Sequence, residues 1–181
     1  MSTAATLEST TMSPEINVQE SASAKTLALP DRLVWTGDVI KNHSFGAAGV
    51  GLIPLPAVDF VALTAIQANL LRKLSAFYNV PFTEEIGKKV IGALVGGYAP
   101  VAFALPVASL VKMIPVIGQT AGVLAMSAVA GASTYAIGKV FVQHFESGGT
   151  FLNFNPAAVS EYYREQFKEG RDIVGKAPKP D

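Results

Sequence analysis

The chain has 181 residues, a net charge of zero and no cysteine. Half of its residues are hydrophobic and 15% are charged, below the roughly 25% usual for soluble domains, so the composition favours a membrane protein. The balanced charge lacks the basic excess expected of a nucleic-acid-binding protein, and the missing cysteines exclude disulfides, thiolate metal sites and cysteine nucleophiles. The two histidines, His43 and His144, do not have the spacing of a metal motif.

The N-terminal region, residues 1–30, is rich in serine, threonine, alanine and glutamate and has no apolar run, so we expect a disordered tail. The stretch DRLVWTGDVIKN, from Asp31 to Asn42, predicts a short helix capped by Asp31. Trp35 anchors this helix either at a membrane surface or in a protein core. A glycine-rich segment follows, and the next helix is expected after Pro56.

Residues 57–78 predict an amphipathic helix, because apolar residues recur every three or four positions from Phe60 to Phe77. Its charged residues favour packing on the rest of the domain over a membrane span. Asp59 falls in the first turn, where the helix dipole stabilises a carboxylate. Gln67 lies in the apolar face and needs hydrogen-bond partners, either to fix the helix register or to contact a ligand.

Two long and mostly apolar stretches, residues 88–111 and 116–140, predict a helical hairpin, because each is long enough to cross a hydrocarbon core. Small residues at four-residue steps, such as Gly92 and Gly96 in the first helix and Gly138 in the second, are typical of helices that pack closely in lipid. The same composition fits a soluble bundle rich in alanine and glycine. More lysines flank the open end of the hairpin than its turn, so we expect both termini on the cytoplasmic side of a bacterial inner membrane.

The stretch GASTYAIGKVF, from Gly131 to Phe141, contains small residues followed by Gly-Lys, a pair that also occurs in phosphate-binding loops. A Walker loop needs four residues between its glycines and a hydroxyl after the lysine, whereas six residues separate Gly131 from Gly138 and Val140 follows Lys139. The stretch therefore indicates a helix-packing face, with Lys139 as an interfacial charge where the helix leaves the apolar layer. The sequence contains no catalytic constellation, cofactor motif or metal motif, and we expect a protein that is not an enzyme.

Residues 156–169 predict a C-terminal amphipathic helix that ends at Gly170 and has an aromatic stripe on one face. Such a helix docks either on its own protein, which we favour, or on a partner. Gly148 and Gly149 predict a turn between the hairpin and this helix. The tail, residues 171–181, is expected to be disordered.

Three motifs together resemble one protein family: IPLPAVDFVALTAIQANLL before the hairpin, TYAIGKVFVQHFESGGTFLNF at its end, and EYYREQF in the last helix. From about Asn42 to Gly170 the chain is similar to the uncharacterised bacterial proteins grouped as domain of unknown function 697. The resemblance implies a membrane-associated module, often fused to or encoded beside Era-like GTPases, and implies no activity. Since these 181 residues contain no GTPase motif, it implies a separate GTPase partner. The matching positions are Pro54, Pro56, Asp59, Gln67, Thr134, Tyr135, Gly138, His144, Phe145, Glu146, Gly148 and Gly149.

The sequence therefore predicts an all-α fold, a helical membrane-associated domain with a central apolar hairpin and flanking amphipathic helices. The favoured function is a non-enzymatic membrane anchor or scaffold, whose expected partners are membrane lipid, a separate GTPase and further copies of the chain. The alternative is a soluble or peripheral helical bundle that self-assembles. We expect a partner to reach the stretch VQHFESGG. The candidate residues of a partner-binding or structural motif are Asp59, Gln67, Tyr135, Gly138, Lys139, His144, Glu146, Gly148 and Gly149.

Overall fold

The computed structural model of the protein describes residues 27–52, 56–103 and 117–176, and of residues 56–60, 98–103 and 117–123 it describes the backbone alone. The described residues form five α-helices and no strand, which confirms the all-α prediction. The helices are α1 (Leu29–Val50), α2 (Pro56–Tyr78), α3 (Glu84–Phe103), α4 (Ile117–Glu146) and α5 (Ser160–Gly175), and a turn of 3-10 helix lies at Phe151–Asn153. Most of the expected N-terminal tail, the last five residues of the expected C-terminal tail and most of the turn expected between α3 and α4 lie outside the described residues.

Helix α1 is longer than the sequence pattern predicts, because it continues past Asn42 to Val50. Glycine disfavours a helix interior by about 1 kcal/mol per residue, which is why a break was expected in this segment. The segment is instead held against α4: Ser44 and Ala48 are buried, and the hydroxyl of Ser127 donates a hydrogen bond of 2.7 Å to the carbonyl of Ala48. Tertiary packing therefore outweighs the local propensity.

Helix α4 forms the centre of the bundle and packs chiefly on α1 and α5. From Ala130 to Phe145 nearly all of its side chains are buried. A Cβ on Gly138 would lie 2.6 Å from Cγ1 of Ile40, and α1 approaches α4 closely because this Cβ is missing. The small-residue face of α4 therefore contacts α1.

The close packing expected between this face and the glycines of α3 is absent. Gly92 and Gly96 are exposed, and no described atom lies within 4 Å of the position that a Cβ would take on either residue. Within the described residues α3 packs mainly on α2. That packing prediction is wrong, because α1 supplies small residues of its own, including Ser44, whose carbonyl oxygen would lie 3.0 Å from a Cβ on Gly131.

Helix α2 is amphipathic. Leu70, Leu71 and Leu74 are fully buried, whereas Arg72 and Lys73 between them are exposed. This alternation follows the helical period of 3.6 residues, which places the three leucines on one face. The helix is thus a packed element of the domain along its described second half.

Helix α5 begins at Ser160, later than the expected start at Pro156, and the residues between them form turns. Asn155 organises these turns, since its Oδ1 accepts hydrogen bonds from the backbone N–H groups of Ala157 at 3.1 Å and Ala158 at 3.4 Å. The asparagine therefore starts a turn where the sequence pattern predicts a helix.

The same helix does not end at Gly170 but continues to Gly175. Gly170 is buried, and a Cβ on it would lie 2.9 Å from Cβ of Tyr135 in α4. Tyr163 and Phe167 are buried on the same side of α5. Gly170 therefore lies inside the helix and allows α5 to pack closely on α4. The prediction that it terminates the helix is wrong.

One segment among the described residues, Leu124–Glu146, is long and apolar enough to cross a membrane. It has 23 residues, but 72% of its apolar window is buried inside the protein, and the core helix of a soluble protein passes the same test. Its exposed large apolar side chains, Leu124 and Met126, both lie at its start. Length and composition alone therefore do not make this segment a span.

Candidate functional site

Glu146, the last residue of α4, joins three helices. Its carboxylate accepts two hydrogen bonds from the guanidinium of Arg32 in α1, from Nε to Oε1 at 3.0 Å and from Nη2 to Oε2 at 2.8 Å. The hydroxyl of Tyr78, at the end of α2, donates a third hydrogen bond to Oε1 at 2.8 Å. About a quarter or less of either charged side chain is exposed. We call Arg32, Tyr78 and Glu146 the Glu146 cluster.

The environment of Tyr78 keeps its phenol protonated. Burial, the hydrogen bond to Glu146 and the negative charge of that carboxylate raise the pKa of Tyr78 above its usual range, in that order of importance. The phenol therefore acts as a donor toward a carboxylate that already receives two bonds from Arg32. Such charge-assisted, bidentate geometry is stronger than a neutral hydrogen bond.

The two glycines after Glu146 end helix α4. The N–H of Gly149 donates to the carbonyl of His144 at 2.9 Å, and the N–H of Gly148 donates to the carbonyl of Phe145 at 2.9 Å. This is the hydrogen-bond pattern of a Schellman motif, with Gly148 in the left-handed region at a φ of 78°. The predicted turn at these residues thus has a defined helix-terminating geometry.

His144 is turned into the domain. Its Nε2 donates a hydrogen bond of 2.9 Å to the carbonyl of Thr150, and because a carbonyl only accepts, the proton lies on Nε2. The ring meets Phe154 edge to face with centroids 5.3 Å apart. A Cβ on Gly149 would collide with the imidazole, so glycine is required beside it.

Aromatic side chains cover this end of α4. Phe141 stacks on Phe154 with centroids 4.6 Å apart, and it also meets Phe151 at 5.3 Å. Thr150 and Asn153 form a capping box around the intervening 3-10 turn. The stretch ESGGTFLNF therefore closes the bundle by packing on it, and the candidate residues His144, Gly148 and Gly149 serve this closure.

Gln67 belongs to a separate polar network in the core. Its Nε2 donates to the hydroxyls of Ser133 at 3.4 Å and Thr134 at 3.3 Å, and the hydroxyl of Ser133 lies 3.0 Å from that of Tyr163. The network links α2, α4 and α5, and Gln67 is 3% exposed. The hydrogen bonds favour the register-fixing interpretation of Gln67 over ligand contact.

The remaining candidate residues do not gather around one point. The hydroxyl of Tyr135 donates to Glu169 at 2.9 Å, and Lys139 lies over the ring of Tyr135 with Nζ 5.9 Å from its centroid. The helix runs on from Lys139 to Glu146, so Gly138 and Lys139 do not mark its end. Asp59 lies in the first turn of α2, and its side chain lies outside the described atoms.

Two members of the Glu146 cluster were not singled out from the sequence. Arg32 is 114 residues from Glu146 in the chain, and Tyr78 is 68 residues from it. No local motif connects positions so far apart. The sequence gives one chemical indication of the pairing. Glu146 follows the apolar residue Phe145, a partly buried carboxylate is stabilised by a cation, and the first helix carries Arg32.

A solvent-open groove of about 420 Å³ lies beside the Glu146 cluster. It runs between α1, α4 and the start of α5, and its lining is mostly apolar with Lys139 and Glu146 as the charged residues. Its lining residues are Leu29, Leu33, Thr36, Gly37, Lys139, Val142, Gln143, Glu146, Ser147 and Tyr162. Val142, Gln143, Glu146 and Ser147 of the stretch VQHFESGG contribute to its lining.

The described residues form a helical bundle. The polar side chains of the Glu146 cluster and of the Gln67 network form hydrogen bonds with other side chains inside it. Among the residues that the structure describes, no three histidine or acidic side chains cluster so as to hold a metal ion. The chain belongs to the family Domain of unknown function (DUF697), whose model matches residues 19–172. The resemblance stated from the three motifs is thereby confirmed.

A relative supplies a further comparison. The chain is 39% identical over 140 residues to Magnetosome membrane protein 22 of Magnetospirillum gryphiswaldense, covering 77% of this chain and 72% of the relative. No solved structure matches the chain. Neither the family nor the relative names a catalytic activity, and the relative's name supports membrane association.

Proposed function

We propose that the protein is a non-enzymatic, membrane-associated anchor or scaffold. The observation that carries this proposal is a change in burial along the described side chains of α4. Its second half is enclosed by the domain, whereas Leu124 and Met126 near its start are 60% and 55% exposed. Exposed large apolar side chains next to a packed domain are expected of a protein held at a membrane. Similarity to a protein named for a membrane supports the same function.

We place the protein at the bacterial inner membrane with both termini on the cytoplasmic side. This orientation is supported by Lys88 and Lys89 at the start of α3, against Lys112 alone in the segment between α3 and α4. A reporter fused to either end is therefore expected to stay inaccessible to protease added outside spheroplasts.

Fractionation tests the membrane association. We expect the full chain to remain in the membrane pellet after washing with sodium carbonate at high pH and with high salt. A peripheral protein of the same cells, released by the carbonate wash, is the matched control. Recovery of the chain in the soluble fraction would contradict the proposal.

The alternative is a soluble or peripheral bundle that self-assembles. It is favoured by one observation, namely that most of the candidate span is buried inside the protein, as in the core helix of a soluble domain. Light scattering coupled to size exclusion without detergent separates the two functions. A discrete soluble oligomer supports the bundle, whereas aggregation relieved by detergent supports the membrane protein.

For the scaffold, we propose the groove beside the Glu146 cluster as the surface for a separate GTPase partner. Leu29 and Leu33 on its rim are about half exposed, and Lys139 gives it a charge. The test is binding of a purified Era-like GTPase to the full chain in nanodiscs. Leu33→Asp is expected to abolish binding, and Val34→Asp, at an exposed apolar residue of the same helix that does not line the groove, is its control. Equal binding by both variants would exclude the groove.

A further inference from the structure

Four exposed apolar side chains mark one end of the bundle. Leu52 follows α1, Val61 lies in the second turn of α2, and Leu124 and Met126 lie on α4. Their exposed fractions are 41%, 68%, 60% and 55%. We call this set the apolar end. Isolated exposed apolar residues are ordinary, whereas a group contributed by several elements marks an interaction surface.

Contacts bring these elements together. A Cβ on Gly51, beside Leu52, would lie 2.8 Å from Cα of Ser127, one residue after Met126. Helix α2 begins six residues after the end of α1, so its first turns lie near the same end. Helix α3 returns along α2 after a short connection, which carries its exposed Gly96 toward this end as well.

Charged residues are sparse around the apolar end. Asp59 is the one ionisable residue between Ser44 and Leu71, and the helical stretches 90–103 and 117–138 hold none except tyrosine. The opposite end carries the Glu146 cluster. Along α3 the order is acidic at Glu84 and Glu85, then basic at Lys88 and Lys89, then apolar. Basic side chains next to an apolar surface fit the anionic headgroups that border a hydrocarbon layer.

The second half of α4 does not fit lipid contact. Nearly all of its side chains from Ala130 to Phe145 are buried by the protein's own helices, and its last residue, Glu146, is paired with Arg32. Ser127, at the boundary, is buried, and its hydroxyl is bonded to Ala48. The lipid-contacting part of α4 therefore lies before Ser127, and not along the apolar segment Leu124–Glu146.

We propose that the apolar end is the surface that enters the acyl region of an anionic bilayer, while the second half of α4 and the Glu146 cluster stay outside it. This inference rests on the proposed membrane association and adds which surface meets the lipid. Leu33, Val34 and Leu152 at the opposite end are also exposed and apolar. They serve as controls, because hydrophobicity alone would make them equally suitable.

The absence of cysteine allows a direct test. Single variants Val61→Cys and Leu124→Cys of the full chain are labelled with an environment-sensitive fluorophore and reconstituted into vesicles of phosphatidylethanolamine and phosphatidylglycerol. Val34→Cys and Leu152→Cys are the matched controls. We expect a blue shift, and loss of emission when acyl-chain spin-labelled lipid is included, at positions 61 and 124 alone. All four side chains are exposed, so the substitutions remove no core packing.

The outcomes separate the inference from the proposed function. The protein could float with the vesicles while quenching at position 34 or 152 is as strong as at 61 and 124. That result would contradict the assignment of the apolar end as the lipid-contacting surface, and it would leave membrane association supported. Failure to float contradicts both. A blue shift at 61 and 124 without vesicles, in a discrete oligomer, overturns the inference, because a second copy then covers the apolar end.

Discussion

The guanidinium of Arg32 and the carboxylate of Glu146 form a two-pronged ion pair at 3.0 and 2.8 Å, although 114 residues separate them in the chain. The pair fixes the start of α1 to the end of α4. The position of the first helix therefore depends on Glu146, a residue late in the chain.

Glu146→Ala is expected to lower the free energy of unfolding by about 2 kcal/mol, since it leaves Arg32 and the Tyr78 hydroxyl without their acceptor in a mostly buried site. Arg32→Lys should cost less but still destabilise, because an ammonium does not reproduce the two-pronged geometry. Thermal unfolding of purified protein in detergent, followed by circular dichroism, measures both. Glu161→Ala, at an exposed ion pair, is the control and should be close to neutral. An effect of Glu146→Ala no larger than that of the control would exclude a structural role.

Alkaline pH should weaken the contribution of Tyr78. Its pKa is raised in the folded protein above the usual 10.0, so between these values the unfolded chain loses the phenolic proton and the folded protein keeps it. The stability that Tyr78 contributes is therefore complete below about pH 10 and declines above it. Unfolding curves for wild type and Tyr78→Phe should differ by about 1 kcal/mol at neutral pH and converge as the pH rises past 10. A difference that grows with alkaline pH would contradict the hydrogen-bond geometry.

Gly148→Ala should destabilise the protein by roughly 1–2 kcal/mol, because a Cβ is strained in the left-handed region that this residue occupies. Gly148→Asn should cost less, since asparagine tolerates that region better. Gly46→Ala is the matched control: this glycine is helical, and a Cβ there meets nothing within 4 Å, so alanine should be neutral or stabilising. Chemical denaturation of the three variants in one detergent ranks them. If alanine lowered the free energy of unfolding equally at positions 148 and 46, the interpretation of Gly148 as the left-handed residue of a Schellman motif would be wrong.

The packing partner of α4 is tested by a pair of glycine variants. Gly138→Ala should destabilise by about 1–3 kcal/mol, because its Cβ meets the side chain of Ile40 at 2.6 Å. Gly92→Ala should be neutral, since α3 does not pack there on a described neighbour. The reverse ranking in thermal unfolding would restore the packing of α3 on α4 that the sequence pattern predicts.

His144→Ala should lower stability by about 1–2 kcal/mol, through loss of the hydrogen bond to Thr150 and of the contact with Phe154. The neighbouring Gln143→Ala is the control, because Gln143 is exposed. Binding of the GTPase to the folded fraction should be the same for His144→Ala and wild type. Reduced binding with unchanged stability would instead support the partner-binding interpretation of this histidine.

The helical class, and the need of Gln67 for hydrogen-bond partners, were predictable from the sequence because both are local. A 3.6-residue period sets one face of α2, and a buried amide within that face must find partners. The errors were non-local. Gly170 looks like a helix terminator until Tyr135 is placed against it, and the small residues of α4 contact α1, a helix much earlier in the chain. The pairing of Arg32 with Glu146 also depends on the closed fold and on no nearby residue.

The long separation of Arg32 and Glu146 also has a consequence for biosynthesis. At about 5–20 residues per second, a ribosome needs roughly 6–23 seconds to add the 114 residues between them. During that interval α1 has left the ribosome while the helix that covers Ile40 is still being made. The nascent chain therefore carries α1 with Ile40 uncovered until α4 has been made. Domain closure comes last, so a chaperone or the insertion machinery has a defined period in which to hold α1.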